Sequence, residues 1–263
     1  MHFARLWFAY AVKEEFMSAF EATGLYKHYG EIEALRGVSA SAEAGEIVGL
    51  VGDNGAGKST FCKILSGVEQ PSRGGLRVGS ETVTAWSPRE LARLGVGTVY
   101  QDLPFSEHVS VADNMFMGIE LRRTVLFWAV RVMDRRKMFV AAKDALGTVG
   151  IKVDPTRTVA DLSGGQRQAV AIARMALLKK KLVIMDEPTA ALSAANRERV
   201  YDSVRSLAGS GSCVLIVGHD IKEMIEVCER LLVFRRGLLI RDVMTSETSL
   251  GNILDLMSGL GDE

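Results

Sequence analysis

The sequence predicts an α/β fold in which helices cover a buried parallel sheet. Three short runs are almost continuously apolar: residues 46–51 (EIVGLV), 182–186 (LVIMD) and 213–218 (CVLIVG). Runs without alternation of polar and apolar residues are typical of strands that are buried on both faces. Each run leads into a stretch with helical periodicity, which indicates strand-then-helix units around one sheet.

Other segments predict two additions to this core. Residues 74–86 and 95–100 are punctuated by turn residues and predict strands of an antiparallel kind. From about Glu107 to Leu178 the pattern is helical, and in residues 134–150 apolar side chains recur at intervals of three and four. We therefore expect a helical insertion in the α/β core, with one of its helices beginning after an Asp134 cap and ending at Gly150.

These patterns divide the chain as follows. Residues 1–20 are expected to be an N-terminal extension outside the fold, and residues 21–263 a single domain. Within that domain, 21–101 and 179–263 form the core with its β subdomain, and 102–178 form the helical subdomain. Residues 1–16 are too short and too charged for a signal peptide, and Met17 is an alternative start.

Composition excludes several classes of protein. The chain has 263 residues, 48% of them hydrophobic, and 32 basic residues balance 32 acidic ones. A nucleic-acid-binding protein usually has a basic excess, so no nucleic-acid partner is expected. Three cysteines without paired spacing predict buried free thiols in a reducing compartment. The apolar run 124–133 contains Arg131 and is too short to cross a bilayer.

A phosphate-binding loop is the strongest motif. Residues 52–60 (GDNGAGKST) match G-x-x-x-x-G-K-[ST], and they lie between a predicted strand and a predicted helix, as the motif requires. Lys58 would supply charge at the β- and γ-phosphates, Ser59 would ligate Mg²⁺, and Thr60 would lie near the α-phosphate. The alternative is a glycine turn with a surface lysine. The expected nucleotide-binding residues here are Gly52, Asn54, Gly55, Gly57, Lys58, Ser59 and Thr60.

Polar residues after the other two strands complete a candidate catalytic set. Asp186 would face Mg²⁺, and Glu187 would activate the water that attacks the γ-phosphate. His219 follows the third strand and can hydrogen-bond the γ-phosphate and the water. The amide oxygen of Gln101 can reach Mg²⁺ or the water. The alternatives are a strand capped by solvated acids and a structural histidine.

A second anion site is predicted at residues 158–177 (TVADLSGGQRQAVAIARMAL). Ser163, Gly164 and Gly165 open a helix that Gln166 begins. Free N–H groups and the positive end of the helix dipole favour an anion at this position. The sequence alone does not say which phosphate it would hold.

Taken together, these motifs resemble the nucleotide-binding subunit of an ABC transporter. The resemblance runs from about Leu25 to Met257, and LSGGQ (162–166) is close to diagnostic. It implies a P-loop NTPase (RecA-like) core, an antiparallel β subdomain and an inserted α-helical signature subdomain. The motifs stand in the family's order: Tyr29, the phosphate loop, Gln101, LSGGQ, MDEP and His219.

The resemblance also implies roles for residues. The signature residues 163–166 would cap, in trans, the ATP held by a second cassette, so two cassettes would pair head to tail. Tyr29 would stack on adenine, Gln101 would sense Mg²⁺ and the membrane partner, and Glu187 would be the general base. Tyr26 is the other candidate for stacking, and Tyr29 could instead pack on a neighbouring strand. Ser193 stands where the family has an aspartate, which implies altered coupling between the two ATP sites.

In detail, these sequence segments resemble the ATPases of bacterial monosaccharide importers of the ribose, xylose and fructose type, and in particular the branch whose ATPases have a single cassette. This likeness implies a membrane permease, a periplasmic sugar-binding protein, ATP and Mg²⁺ as cofactors, and a location on the cytoplasmic face of the inner membrane. Residues 126–130 (LFWAV) would either face the permease or pack in the helical subdomain. The rival classes are an ATPase for another solute, a soluble ABC ATPase of the iron–sulfur assembly type, and a regulator that only binds nucleotide.

Overall fold

The computed structural model describes residues 18–100, 102–125, 130–190 and 192–260. These residues form twelve strands: β1 (Ser18–Tyr29), β2 (Ile32–Glu43), β3 (Ile47–Gly52), β4 (Arg73–Val78), β5 (Glu81–Thr82), β6 (Val96–Val99), β7 (Arg122–Val125), β8 (Val130–Met133), β9 (Leu182–Asp186), β10 (Cys213–Val217), β11 (Arg230–Arg235) and β12 (Leu238–Met244). They also form eight α-helices: α1 (Lys58–Leu65), α2 (Pro88–Leu94), α3 (Val111–Phe116), α4 (Arg135–Thr148), α5 (Gly164–Leu177), α6 (Ala194–Gly209), α7 (Ile221–Val227) and α8 (Leu250–Ser258).

A six-stranded sheet with the order β12-β11-β3-β10-β9-β6 forms the centre of the fold. All neighbouring pairs are parallel except β11 and β12, which are antiparallel. In the register, Val217 of β10 lies between Leu50 of β3 and Asp186 of β9. The loops after these three strands therefore leave the same edge of the sheet, and the α/β prediction is confirmed.

The apolar strands are buried on both faces, as their composition predicted. Leu182 and Ile184 of β9 belong to one hydrophobic cluster, and Val183 and Met185 belong to the other. Because side chains alternate along a strand, each face of the sheet contributes to a separate part of the core.

Two strand predictions were wrong. Residues 96–99 form β6, which pairs in parallel with β9 instead of joining an antiparallel sheet. Helix α2 precedes β6 and ends at Gly95, so this segment is another helix–strand unit of the core. The second error concerns residues 81–86, of which only Glu81–Thr82 are a strand. The antiparallel sheet has the order β2-β1-β4-β5.

The fold begins earlier than expected. Strand β1 starts at Ser18, and its residue Phe20 is fully buried against the ring of Phe61, with 6.4 Å between centroids. The predicted boundary at residue 20 is therefore wrong, because residues 18–20 belong to β1. Polar residues interrupt the apolar pattern of β1, so the sequence pattern did not indicate where this strand begins. Residues 1–17 lie outside the described part of the chain.

The insertion contains the predicted helices and one unpredicted hairpin. Helix α4 begins after Asp134, whose carboxylate accepts a hydrogen bond from the N–H of Lys137, and Gly150 follows the helix with φ 72°. Strands β7 and β8 pair antiparallel just before this helix. Residues 126–129, most of the LFWAV segment, lie outside the described residues. Within the described residues, no helix is long and apolar enough to cross a membrane.

The three cysteines are buried free thiols. Burial raises the pKa of Cys62, Cys213 and Cys228 well above the ordinary thiol range. These thiols are therefore protonated and unreactive, which agrees with a packing role.

Candidate functional site

The phosphate loop closes tightly between β3 and α1. Gly57, at φ 108°, is the N-cap of α1, and a Cβ atom there would lie 2.9 Å from the carbonyl oxygen of Ala34. A Cβ atom on Gly52, at φ 147°, would collide with the carbonyl oxygen of Phe234. Both positions therefore need glycine for space and for conformation. A Cβ atom on Gly55 would meet no other atom within 4 Å, so there is room in front of the loop.

Lys58 lies at the centre of the loop. Its Nζ donates to the carbonyl oxygens of Gly52 at 2.6 Å and Asp53 at 3.0 Å, and the residue is buried. Burial lowers the pKa of Lys58, and the charges of Asp53, Glu187 and Asp186 oppose this shift. The ammonium group therefore lies close enough to the carboxylates after β9 to interact with them electrostatically.

Two adjacent carboxylates, those of Asp186 and Glu187, lie at the end of β9. Burial, and then the charge of Glu187, raise the pKa of Asp186. Two adjacent acids in a half-buried position repel each other, and a cation would relieve this repulsion. Ser59 is exposed in the first turn of α1, which follows β3 at the same edge of the sheet. Carboxylate and hydroxyl oxygens are ligands that suit Mg²⁺, so the residues present fit this ion.

Glu187 has an unusual backbone and a direct partner. Its φ is 47°, in the left-handed region, and its N–H donates to the carbonyl oxygen of Val217 at 3.0 Å. Its Oε1 lies 2.6 Å from Nε2 of His219, which is half-exposed. The conformation costs about 1–2 kcal/mol for a residue with a Cβ atom. It points the acid at the imidazole at the end of β10, so the fold holds the two predicted catalytic groups together.

The serine–glycine turn begins α5 with a capping box. The Ser163 hydroxyl accepts from the N–H of Gln166, and the Gln166 amide oxygen accepts from the N–H of Ser163. Gly164 is exposed, whereas a Cβ atom on Gly165 would lie 3.1 Å from Asn196. The pattern S-x-x-Q at residues 163–166 is a capping-box signal that the sequence prediction overlooked.

The serine–glycine turn and the phosphate loop line different cavities. Gly164 lines a cavity of about 230 Å³ together with Arg167 and Glu187. Residues 53–56 of the phosphate loop line a different cavity, together with Arg235 and Arg236. Within the described residues, the two predicted anion sites therefore line different cavities, and the cavity of Gly164 also contains the predicted catalytic acid Glu187.

The surroundings of the two candidate stacking tyrosines and of Ser193 differ. Tyr29 ends β1 with 41% of its surface exposed, and the Nζ of Lys27 lies 4.9 Å from the ring centroid. Tyr26 packs against Gly37 of β2, where a Cβ atom would meet the phenol oxygen at 2.8 Å. Ser193 is the N-cap of α6, and its side chain makes no capping hydrogen bond. Gln101 lies outside the described residues.

A hydrogen-bonded network behind the site was not predicted. The hydroxyl of Tyr201 lies 3.0 Å from Oγ1 of Thr189 and donates to Oε2 of Glu223 at 2.9 Å. Arg197 forms an ion pair with the same glutamate at 3.1 Å. Burial raises the pKa of Tyr201 to about 12, so this phenol stays protonated. A tyrosine at a core position of a helix gives no sequence signal for such a role.

Comparison with known proteins agrees with this arrangement. The family model described as "ABC transporter" matches residues 35–190. The chain is 38% identical to the xylose/arabinose import ATP-binding protein XylG of Sulfolobus acidocaldarius, over 90% of this chain and 93% of that one. It is 36% identical to the fructose import ATP-binding protein FrcA of Rhizobium meliloti, again over 90% and 93%.

A solved structure of an ATP-binding cassette has a similar fold. The crystal structure of a nucleotide-free ATP-binding cassette from an ABC transporter superposes with a TM-score of 0.77 at 25% identity, over 91% of this chain and 96% of that chain. The family model covers more than half of the chain. The motifs that the family uses to bind and hydrolyse ATP stand in the family's order. The chain therefore belongs to the ABC transporter family, as an ATP-hydrolysing cassette.

Proposed function

We propose that this chain is the ATPase subunit that powers import of a monosaccharide through a separate membrane permease. The observation that carries the proposal is its 36–38% identity, over nine-tenths of its length, to the xylose/arabinose and fructose import proteins. The choice of sugar would rest with a periplasmic binding protein and the permease. The subunit would lie on the cytoplasmic face of the inner membrane, bound to that permease.

In this proposal the phosphate loop and Tyr29 hold ATP. The closely packed Gly52 and Gly57 let the backbone N–H groups of the loop approach the phosphates, and Lys58 adds a positive charge. The exposed ring of Tyr29 stacks on adenine. The remaining proposed contacts come from Asn54, Gly55, Ser59 and Thr60.

Glu187 is the proposed general base. It accepts a proton from the attacking water, and His219 orients both the acid and the γ-phosphate. Ser59, Asp186 and Gln101 would hold Mg²⁺, which neutralises charge on the phosphates when it is bound. The 2.6 Å contact between Glu187 and His219 supports this division of roles.

The serine–glycine turn serves the ATP of a second cassette. The first N–H groups of a helix have no intrahelical partner, and the exposed Gly164 leaves the start of α5 accessible. Residues 163–166 would therefore cap the γ-phosphate across a head-to-tail dimer, formed with a second copy or with a paired cassette. ATP binding closes the dimer, and hydrolysis opens it.

Uptake and assembly test the proposal. In cells that express the chain with its permease, we expect uptake of a labelled monosaccharide, and we expect Glu187→Gln to abolish uptake without loss of permease binding. The purified Glu187→Gln protein should form dimers with Mg-ATP, because nucleotide stays bound. Recovery from cytosol without a permease, together with strictly monomeric Glu187→Gln protein, would instead favour a non-transport ATPase.

The LFWAV segment offers a narrower test. Phe127 and Trp128 lie outside the described residues, so their role as a permease contact is a proposal from sequence alone. If they contact the permease, serine at both positions should reduce permease co-purification while ATP binding is kept. Unchanged co-purification with intact folding would assign them to packing.

A further inference from the structure

An open groove in the helical subdomain is separate from the site described above. It lies between the β7–β8 hairpin and the start of α4, with a cavity volume of about 880 Å³. Arg123, Arg135, Arg136 and Lys137 line it. None of these residues belongs to a motif that the proposed function uses.

The segment that forms the groove, residues 122–137, carries an excess of positive charge in a chain that is neutral overall. Residues 122–137 contain six basic side chains and one acid, Asp134. All six basic residues are exposed. Among the described residues only Lys137 has an acid within 4.0 Å, namely Asp134 at 3.7 Å, and that acid is also engaged as the N-cap of α4. Of the five arginines, Arg122 also interacts electrostatically with Glu120, and the other four are available to an external anion.

The fold itself does not explain this charge. Arg135, Arg136 and Lys137 occupy the first turn of α4, which contains no acidic residue. The positive end of the helix dipole disfavours cations at this position. Arg135 and Arg136, which have no acid within 4.0 Å among the described residues, thus do not stabilise their own helix, and this points to an anionic partner outside the chain.

Apolar side chains accompany the cations in the groove. Leu121, Met133 and Val140 line it and are 37%, 44% and 52% exposed. A free inorganic anion would gain nothing from this apolar surface. A bilayer with anionic headgroups offers both a negative surface and acyl chains close to it, and its chemistry therefore matches the whole groove.

We propose that the groove between the β7–β8 hairpin and α4 binds the anionic phospholipid surface of the membrane. This inference rests on the proposed function in one respect: a permease-bound subunit would be within reach of lipid. Direct lipid contact would add an attachment of the cassette besides the one that the permease provides. Asp134 and Asp144 also line the groove and offset two of its four positive charges, so binding depends on the four cations acting together.

Vesicle flotation of the purified full chain tests the proposal without the permease. We expect it to bind vesicles of phosphatidylcholine with about one-third phosphatidylglycerol and not to bind vesicles of pure phosphatidylcholine. High salt should release the bound chain. Each basic side chain near such a surface contributes about fivefold to partitioning, so Arg135→Gln/Arg136→Gln should reduce it about 25-fold. Arg123→Gln should reduce it about fivefold without touching α4.

Arg73→Gln/Arg89→Gln is the matched control. Both arginines are exposed, Arg89 lies in the first turn of α2, and the charge change is the same. This variant should bind vesicles like the unmodified chain. All variants should keep their melting temperature and basal ATP hydrolysis.

Three results would overturn the inference: no binding to anionic vesicles, equal binding to neutral ones, or unchanged binding by Arg135→Gln/Arg136→Gln. Reduced co-purification of that variant with the permease, without any vesicle binding by the unmodified chain, would assign the groove to a protein contact instead. A chain that binds vesicles but never a permease would contradict the proposed function and leave this inference standing.

Discussion

The Nε2 atom of His219 lies 2.6 Å from the Oε1 atom of Glu187, at the adjacent ends of β10 and β9. The parallel register of these strands brings the two residues to the same edge of the sheet. In the proposed mechanism Glu187 accepts a proton from water, and the imidazole of His219 would hold its carboxylate toward the phosphate.

Replacement of this histidine tests the pairing. We expect His219→Ala to lower kcat for ATP hydrolysis by about 10²-fold or more, since positioned acid–base groups contribute about 10²–10⁴-fold. ATP affinity should change little, because the phosphate loop is untouched. His108→Ala removes another exposed histidine and should leave basal turnover unchanged. Equal rates for His219→Ala and His108→Ala would remove His219 from the mechanism.

The backbone of Glu187 predicts a trade between stability and activity. At φ 47° a side chain strains the chain and glycine does not. Glu187→Gly and Glu187→Ala should both stop hydrolysis, but the glycine variant should be more stable than the alanine variant by about 1 kcal/mol. For a chain of this size that is about 2–4 °C in Tm.

Lys179 provides the matched comparison, because its φ is 48°. Lys179→Gly should likewise melt above Lys179→Ala, and both should retain hydrolysis. If Glu187→Ala melts at or above Glu187→Gly while the Lys179 pair differs as expected, the strain at Glu187 is absent in solution.

Asp186 predicts a dependence of stability on pH. Its native pKa is raised above the ordinary value of 3.8 by burial and by Glu187. The native state therefore holds its proton more tightly than the unfolded state, and stability falls as pH rises from about 4 through the raised native pKa. Asp186→Asn removes this loss, so without ligand the variant should melt above the unmodified chain at neutral pH.

If Asp186 holds Mg²⁺ as proposed, Mg-ATP should reverse the order of the two melting temperatures, because the neutral amide of asparagine attracts the cation less than a carboxylate does. Thermal melts with Mg-ATP, and with ATP and a chelator, make the comparison. A variant that melts below the unmodified chain without ligand would contradict the charge repulsion inferred for this site.

The Tyr201 network predicts a coupling behind the site. Tyr201→Phe leaves Oγ1 of the buried Thr189 without its phenol partner, which should cost about 1–3 kcal/mol of unfolding free energy. A double-mutant cycle with Glu223→Gln should give a non-zero interaction energy, because the phenol donates to that carboxylate. Tyr100→Phe, at a half-exposed tyrosine, is the control. Additive effects of the first pair would contradict the coupling.

The sequence predicted some features well because their physical signals are local. Continuous apolar runs identified β3, β9 and β10, and glycine spacing identified the phosphate loop between β3 and α1. The parallel pairing of β6 depends on a long-range contact with β9, which turn residues near Gly95 do not reveal.

Features that depend on the tertiary structure escaped prediction for the same reason. The left-handed backbone of Glu187 and the phenol network of Tyr201 arise where separate elements meet. Likewise, the burial of Phe20 depends on a contact with Phe61, which is about forty residues away in the chain.

The uncapped Ser193 yields a final prediction. Ser193 begins the 16-residue helix α6 without a side-chain hydrogen bond. An aspartate there would place a negative charge at the positive end of the helix and could accept the missing hydrogen bond. Ser193→Asp should therefore raise the unfolding free energy by about 0.3–1 kcal/mol. It should also change the cooperativity of ATP hydrolysis, since this position is proposed to connect the two ATP sites of a dimer.

Ala194→Asp separates the two effects of that change. It places the same charge one residue later, in the first turn of α6, and should stabilise the helix to a similar extent. If Ser193 acts across the dimer, Ala194→Asp leaves the Hill coefficient for ATP unchanged while Ser193→Asp shifts it. Equal shifts in both variants would mean that helix stability alone sets the cooperativity. In that case serine in place of aspartate would have no particular role in coupling.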